Sequence, residues 1–161
     1  MIEFRRLLES LHRNEVSFVI VGGIAATLHG SARVTFDLDI TYERTPENMA
    51  RLVAALAPFQ PYLRGAPPGL PFHLDVETLK RGLNFTLTTS DGPLDLLGEV
   101  SGIGTYGVAR RHADQANMFG GIYYYLDLEA LILSKKAAGR PKDFEAIAEL
   151  EAIREERRPS S

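Results

Sequence analysis

The sequence predicts a mixed α/β (α+β) domain: a mixed β-sheet flanked by helices and followed by two C-terminal helices. Three observations predict it. Ser17 to Val21 is an unbroken β-branched and aromatic run, which suits a strand covered on both sides. Leu38, Ile40 and Tyr42 alternate with Asp37, Asp39 and Thr41, giving a second strand with one apolar and one acidic face. Helical segments interleave with the strands without regular strand-helix-strand alternation, and Ser90-Asp91-Gly92-Pro93 marks a hairpin in the middle, so a mixed sheet is favoured over a doubly wound one.

The elements follow in order. Phe4, Leu7, Leu8 and Leu11 carry the i, i+3, i+4, i+7 pattern of an amphipathic helix over Ile2 to Arg13. Gly22 and Gly23 end the first strand, and Ile24 to His29 form a short helix stopped by Gly30. Thr45-Pro46-Glu47 opens the next helix with a hydroxyl cap, a proline at the first position and an acid in the first turn. Met49, Leu52, Val53 and Leu56 are its buried stripe. The Pro/Gly stretch from Pro58 to Pro71 reads as a loop. Strands are expected near Phe72 to Val76, Leu83 to Thr89, Leu94 to Leu97 and Ile122 to Leu126. Helices over Asp127 to Ala138 and Pro141 to Glu155 complete the chain, divided by Gly139, with a frayed end from Arg154 to Ser161.

A chain of 161 residues, 45% apolar and 24% charged, has the size of one domain, residues 1–161, with a core over about 1–126 and a helical segment over about 127–155. No apolar run approaches a membrane span and the first residues are too charged for a secretory signal, so a cytoplasmic protein without membrane contact is expected. Cysteine is absent, which excludes disulfide frameworks, thiolate zinc sites and cysteine nucleophiles. The net charge of −3 argues against a general nucleic-acid coat but leaves room for a local basic patch.

Asp37 and Asp39 carry the strongest functional signal. Carboxylates at i and i+2 of a strand share a face, roughly 6.5–7 Å apart along the chain, and both can reach one cation. Asp95, inside Pro93-Leu94-Asp95-Leu96-Leu97, is a third acid in an apolar strand. Three such acids could hold magnesium carrying a triphosphate. Asp75 and Glu77, also at i and i+2, compete with Asp95 for the third place. Gly22 and Gly23 before a helix allow close approach of phosphate to unpaired backbone amides. Arg33, with Ser31 and Thr35, lies between the glycines and the acids, within reach of phosphate oxygens. Lys135 lies on the penultimate helix, with Arg140 and Lys142 at the following break. The four histidines show no metal spacing. A Walker loop, a dinucleotide fingerprint and a serine-hydrolase elbow are all missing.

These motifs resemble the polymerase-β-type nucleotidyltransferase superfamily. Its pattern is a Gly-Ser or Gly-Gly turn, a helix and then Asp-x-Asp, here Gly22-Gly23, thirteen residues and Asp37-Leu38-Asp39. Arg33 to Asp39 is similar to the R-x-T-x-D-x-D form of the AbiEii toxin-like branch, and Leu131 to Asp143 resembles that branch's L-I-x-x-K-x-x-x-x-R-x-K-D segment. The resemblance implies a nucleotidyltransferase fold and magnesium-dependent transfer of a nucleoside monophosphate from an NTP to a hydroxyl of RNA, protein or a small molecule. In the toxin-like branch it also implies a toxin with a cognate antitoxin as partner. Gly22 and Gly23 would hold the triphosphate, Asp37 and Asp39 the metals, Asp95 would assist deprotonation of the acceptor, and Lys135 would neutralise phosphate charge. Gly23 stands where the wider family has serine, which removes one hydroxyl contact to phosphate. The alternatives are a catalytically weak or inactive binding module of the same fold and a metal-dependent phosphohydrolase.

Overall fold

The computed structural model describes residues 2–159. A single 3-10 turn, Ile2–Phe4, leads into α1 (Arg5–Arg13), whose Leu7, Leu8 and Leu11 are fully buried as the periodicity requires. Strand β1 (Phe18–Val21) is buried along its whole length. Helix α2 (Gly22–Leu28) starts on the first glycine rather than after the second. The reason is local: Gly22 adopts φ +65°, so the chain turns from strand to helix at that residue.

Strand β2 (Leu38–Tyr42) begins one residue after Asp37, and α3 (Pro46–Leu56) follows. The Thr45 hydroxyl accepts the Asn48 N–H at 3.2 Å, and Pro46 occupies the first turn, where its missing donor costs nothing. Buried Asn48 ties the helix to β1 through both backbone groups of Ser17, at 2.7 and 3.0 Å.

The middle of the chain departs from expectation. The Pro/Gly stretch holds a 3-10 turn, Ala57–Phe59, and a short strand, β3 (Tyr62–Leu63). Residues 72–76 form no strand. The carboxylate of Asp75 instead accepts the Thr78 N–H at 2.8 Å and caps α4 (Val76–Arg81), so local capping overrides the apolar run before it. The expected hairpin is present as β4 (Asn84–Thr89) and β5 (Gly92–Leu97).

Two further elements were not foreseen, α5 (Tyr106–Arg111) and β6 (Ala113–Met118). A six-residue helix is too short to show a period. Strand β6 has a polar sequence, and antiparallel pairing with β7 (Gly121–Leu126) makes it a strand. Helices α6 (Leu128–Ala138) and α7 (Phe144–Glu156) close the chain. Asp127 caps α6 at 2.8 Å from the Ala130 amide, and Gly139 at φ +64° ends it. A 3-10 turn, Pro141–Asp143, precedes α7. The expected frayed tail is helical to Glu156, and Ser160 and Ser161 lie outside the described residues.

The seven strands form one mixed sheet in the order β3-β4-β5-β2-β1-β7-β6. Strand β1 runs antiparallel to β2 and parallel to β7, and the central β2 runs parallel to β5. In this register Val21 lies opposite Asp39, and Asp39 opposite Asp95. Helices α1 and α3 pack on each other, while α6 packs on both α2 and α7. No helix among the described residues is long and apolar enough to cross a membrane.

Candidate active site

Parallel pairing of β2 and β5 places the two strand acids side by side. One carboxylate oxygen each from Asp37, Asp39 and Asp95 lies within 4.8 Å of the others, the only such group of potential ligands among the described residues. Asp75 and Glu77 are not part of it: Asp75 caps α4 and Glu77 pairs with Lys80 at 3.7 Å. The acids line a cavity of about 750 Å³, and the other residues read from the sequence line it too: Gly22, Gly23, Arg33, Thr35, Lys135 and Arg140.

Charge in the cavity is unbalanced. Asp39 is pushed up to about 8, first by burial, then by a hydrogen bond with Asp95 and by the negative charge of Asp95 and Asp37; Lys135 pulls weakly the other way. A carboxyl group held protonated by burial and by neighbouring carboxylates is what a cation would ionise. The donor set, oxygen only and carboxylate only, fits magnesium, which completes its shell with water and phosphate oxygens.

The glycines bring backbone close to this centre. A Cβ on Gly22 would overlap the Asp39 carboxylate, and a Cβ on Gly23 would overlap the Thr35 hydroxyl. The Thr35 hydroxyl therefore occupies the space that a side chain at position 23 would enter, reaching it from the loop between α2 and β2, and donates to the Asp37 carbonyl at 3.3 Å. That loop is held by α7: Glu149 accepts from the Ser31 hydroxyl at 2.5 Å and from the Ala32 amide at 3.0 Å, and Glu145 pairs with Arg33 at 3.4 Å. Val34 and Phe36, 78% and 75% exposed, present apolar side chains at the cavity rim.

In the turn between α6 and α7, Asp143 is 4% exposed and bridges two cations, Arg140 at 2.8 Å and Lys135 at 3.8 Å. Burial lowers the pKa of Lys135, and Asp143 counters that effect. Sequence reading quoted Asp143 within the C-terminal segment without giving it a role. Its signal was there, since an acid three residues after Arg140 can turn back to it.

Arg64 was missed altogether. It follows β3, donates to Asp95 at 2.8 Å and to the Leu87 carbonyl at 2.6 Å, and lies 3.8 Å from Asp37. This guanidinium flanks the acids on the side away from the glycines and fixes one oxygen of Asp95.

The mixed sheet and its flanking helices have the nucleotidyltransferase fold. Solved structures similar to the chain include the lincosamide antibiotic adenylyltransferase LnuA in its lincomycin-bound form (TM-score 0.63, 17% identity, 95% of this chain and 97% of that one). A second is the antibiotic-resistance factor ANT(2'')-Ia (TM-score 0.59, 17% identity, 94% and 80%). A third is a candidate nucleotidyltransferase from Thermotoga maritima, TM1012 (TM-score 0.58, 14% identity, 92% and 90%). No protein-family model matches the chain, and no curated protein matches it.

Proposed function

We propose that this chain is a magnesium-dependent nucleotidyltransferase that moves a nucleoside monophosphate from an NTP to a hydroxyl of an acceptor. The observation that carries the reading is the meeting of three carboxylates within 4.8 Å beside a glycine-opened helix in one cavity. Magnesium held by Asp37, Asp39 and Asp95 would supply charge neutralisation at the phosphates and acidify the attacking hydroxyl.

The chain's own groups account for the rest. Gly22 and Gly23 let the triphosphate lie against the backbone, with Thr35 giving a hydroxyl and Arg33, Lys135 and Arg140 giving positive charge. In-line attack by the acceptor oxygen forms a new bond to the α-phosphorus and breaks the bond from it to the bridging oxygen. Pyrophosphate leaves toward the glycines and Lys135. The hydroxyl proton passes to Asp95, which Arg64 holds in place. Rate acceleration comes from positioning and from charge preorganisation.

The inactive-module reading rests on the missing serine and on the short chain; the Thr35 hydroxyl, which fills the space beside Gly23, bears on the first of these. Similarity of the Arg33–Asp39 and Leu131–Asp143 segments to the AbiEii toxin-like branch supports a role as the toxin of a toxin-antitoxin pair. The fold-level likeness to LnuA and ANT(2'')-Ia supports a small-molecule acceptor. Asp39→Asn tests the common core: label transfer from α-labelled NTPs into a cell extract falls by about a thousandfold or more while the variant stays folded. Undiminished transfer would remove the metal role.

A further inference from the structure

Arg64 ends a single row of residues that crosses the sheet through the acids. Its amide donates to the Thr86 carbonyl at 3.0 Å, one step beyond the β3–β4 pairs. Thr86 lies opposite Asp95, Asp95 opposite Asp39, and Asp39 opposite Val21. Neighbouring strands are about 4.8 Å apart, so the Arg64 backbone stands roughly 10 Å from Asp95, two strands away. An extended arginine side chain covers most of that distance and a hydrogen bond closes the rest. The sheet itself thus delivers a guanidinium to the acids.

That guanidinium spans two acids rather than one. One terminal nitrogen donates to Asp95 at 2.8 Å and to the Leu87 carbonyl at 2.6 Å, and the other stands 3.8 Å from Asp37. Asp37 and Asp95 come from neighbouring strands, and a bridging cation would use the same pair. Arg64 is fastened at both ends, its backbone to Thr86 and its fork to Leu87, and its side chain is only 29% exposed. A guanidinium does not deprotonate, so the charge is permanent.

Charge limits how many further cations the acids can take. Three ionised carboxylates are balanced by Arg64 together with a single divalent ion. A second divalent ion would have to share Asp37 and Asp95 with a guanidinium already bound to them. At magnesium's usual distance of about 2.1 Å from the Asp95 oxygen that Arg64 holds, it would lie within about 5 Å of the guanidinium nitrogen, where like charges repel. The negative charge of a triphosphate has its own partners in the cavity, Arg33, Lys135 and Arg140.

We infer that Arg64 takes the place of a second metal ion: with nucleotide bound, the site holds one divalent cation per chain, and the guanidinium is the fixed counter-charge of Asp37 and Asp95. Under the nucleotidyl-transfer reading, on which this rests, three such acids without Arg64 would hold two ions about 3.5–4 Å apart.

Equilibrium dialysis of the full chain counts the ions. Manganese is the probe, and α,β-methylene-ATP stands in for the NTP because its α–β linkage cannot be cleaved by transfer. The wild type should hold one manganese per bound nucleotide, with the electron paramagnetic resonance spectrum of an isolated ion. Arg64→Met, or Arg64→Gln should the first variant not fold, should hold two, with a spectrum that shows coupling between neighbouring ions. Arg64→Lys keeps the charge and should hold one. Two ions in the wild type, one ion in the neutral variants, or two in Arg64→Lys overturns the inference. All three outcomes leave nucleotidyl transfer standing, because nucleotide binding is read in the same dialysis. Failure of manganese and the nucleotide analogue to bind the wild type overturns that parent reading instead.

Discussion

At the residue scale, Thr35 and Gly23 form a matched pair. Only a glycine at 23 leaves room for the Thr35 hydroxyl, and under the proposed function that hydroxyl would give the nucleotide what a serine at 23 would give. Gly23→Ser alone crowds Thr35 and should raise the nucleotide KM by about tenfold, in the range of a displaced contact worth ~1–1.5 kcal/mol. Adding Thr35→Ala should bring KM back to within about threefold of the wild type, since the serine then has the space and the role. Additive losses in the double variant would show that the two positions do not share a site. Such an exchange was hidden from sequence reading, which saw a lost serine at 23 and a nearby threonine without knowing that they meet. The aspartates were legible for the opposite reason: a period of two on a strand places Asp37 and Asp39 on one face in any fold that makes the strand.

At the element scale, the smallest strand has a large consequence. Strand β3 is two residues long and pairs only with β4, yet its pairing sets the chain so that Arg64 reaches the acids. An arginine in a Pro/Gly stretch carries no periodic signal. Its place depends on Tyr62 meeting Thr88 and Leu63 meeting Leu87 across the sheet edge, which local sequence does not encode. The same limitation explains β6, whose polar residues become a strand only against β7. It also explains the misplaced strand at 72–76, where the capping signal of Asp75 and Thr78 outweighed apolar composition. Helices with both a cap and a stripe, α3 and α6, lie close to where their sequences put them. Arg64→Met removes a charge-assisted hydrogen bond to Asp95 and should lower metal-free stability by about 1–3 kcal/mol. Magnesium should recover more of the melting temperature in this variant than in the wild type, because the cation takes over the neutralisation. An unchanged metal-free melting temperature would show that Arg64 does not compensate the acids.

At the scale of the whole molecule, the cavity is assembled from distant parts of the chain: the first turn of α2, the loop before β2, the acids of β2 and β5, and the Lys135–Asp143 segment. Glu149 on α7 ties the loop to the C-terminal helices, so folding brings the candidate site together as one unit. A protonated acid at its centre links it to pH. The folded state holds the Asp39 proton to about pH 8, far above the ordinary 3.8. Its contribution to metal-free stability is therefore present below about pH 4 and is lost as pH rises through 8. Magnesium must displace that proton, so its affinity should climb by about tenfold per pH unit below 8 and then level off, read by calorimetry from pH 6 to 9. A flat profile would mean that Asp39 is ionised without metal.

The account as a whole stands on one reaction, and the identity of the leaving group decides it. Incubated with magnesium, an NTP labelled at the α-phosphorus and an extract containing acceptors, the wild type should release pyrophosphate while the label moves to the acceptor, and Asp39→Asn should do neither. Release of orthophosphate with the label left on free nucleotide, or equal pyrophosphate release by Asp39→Asn, would contradict it.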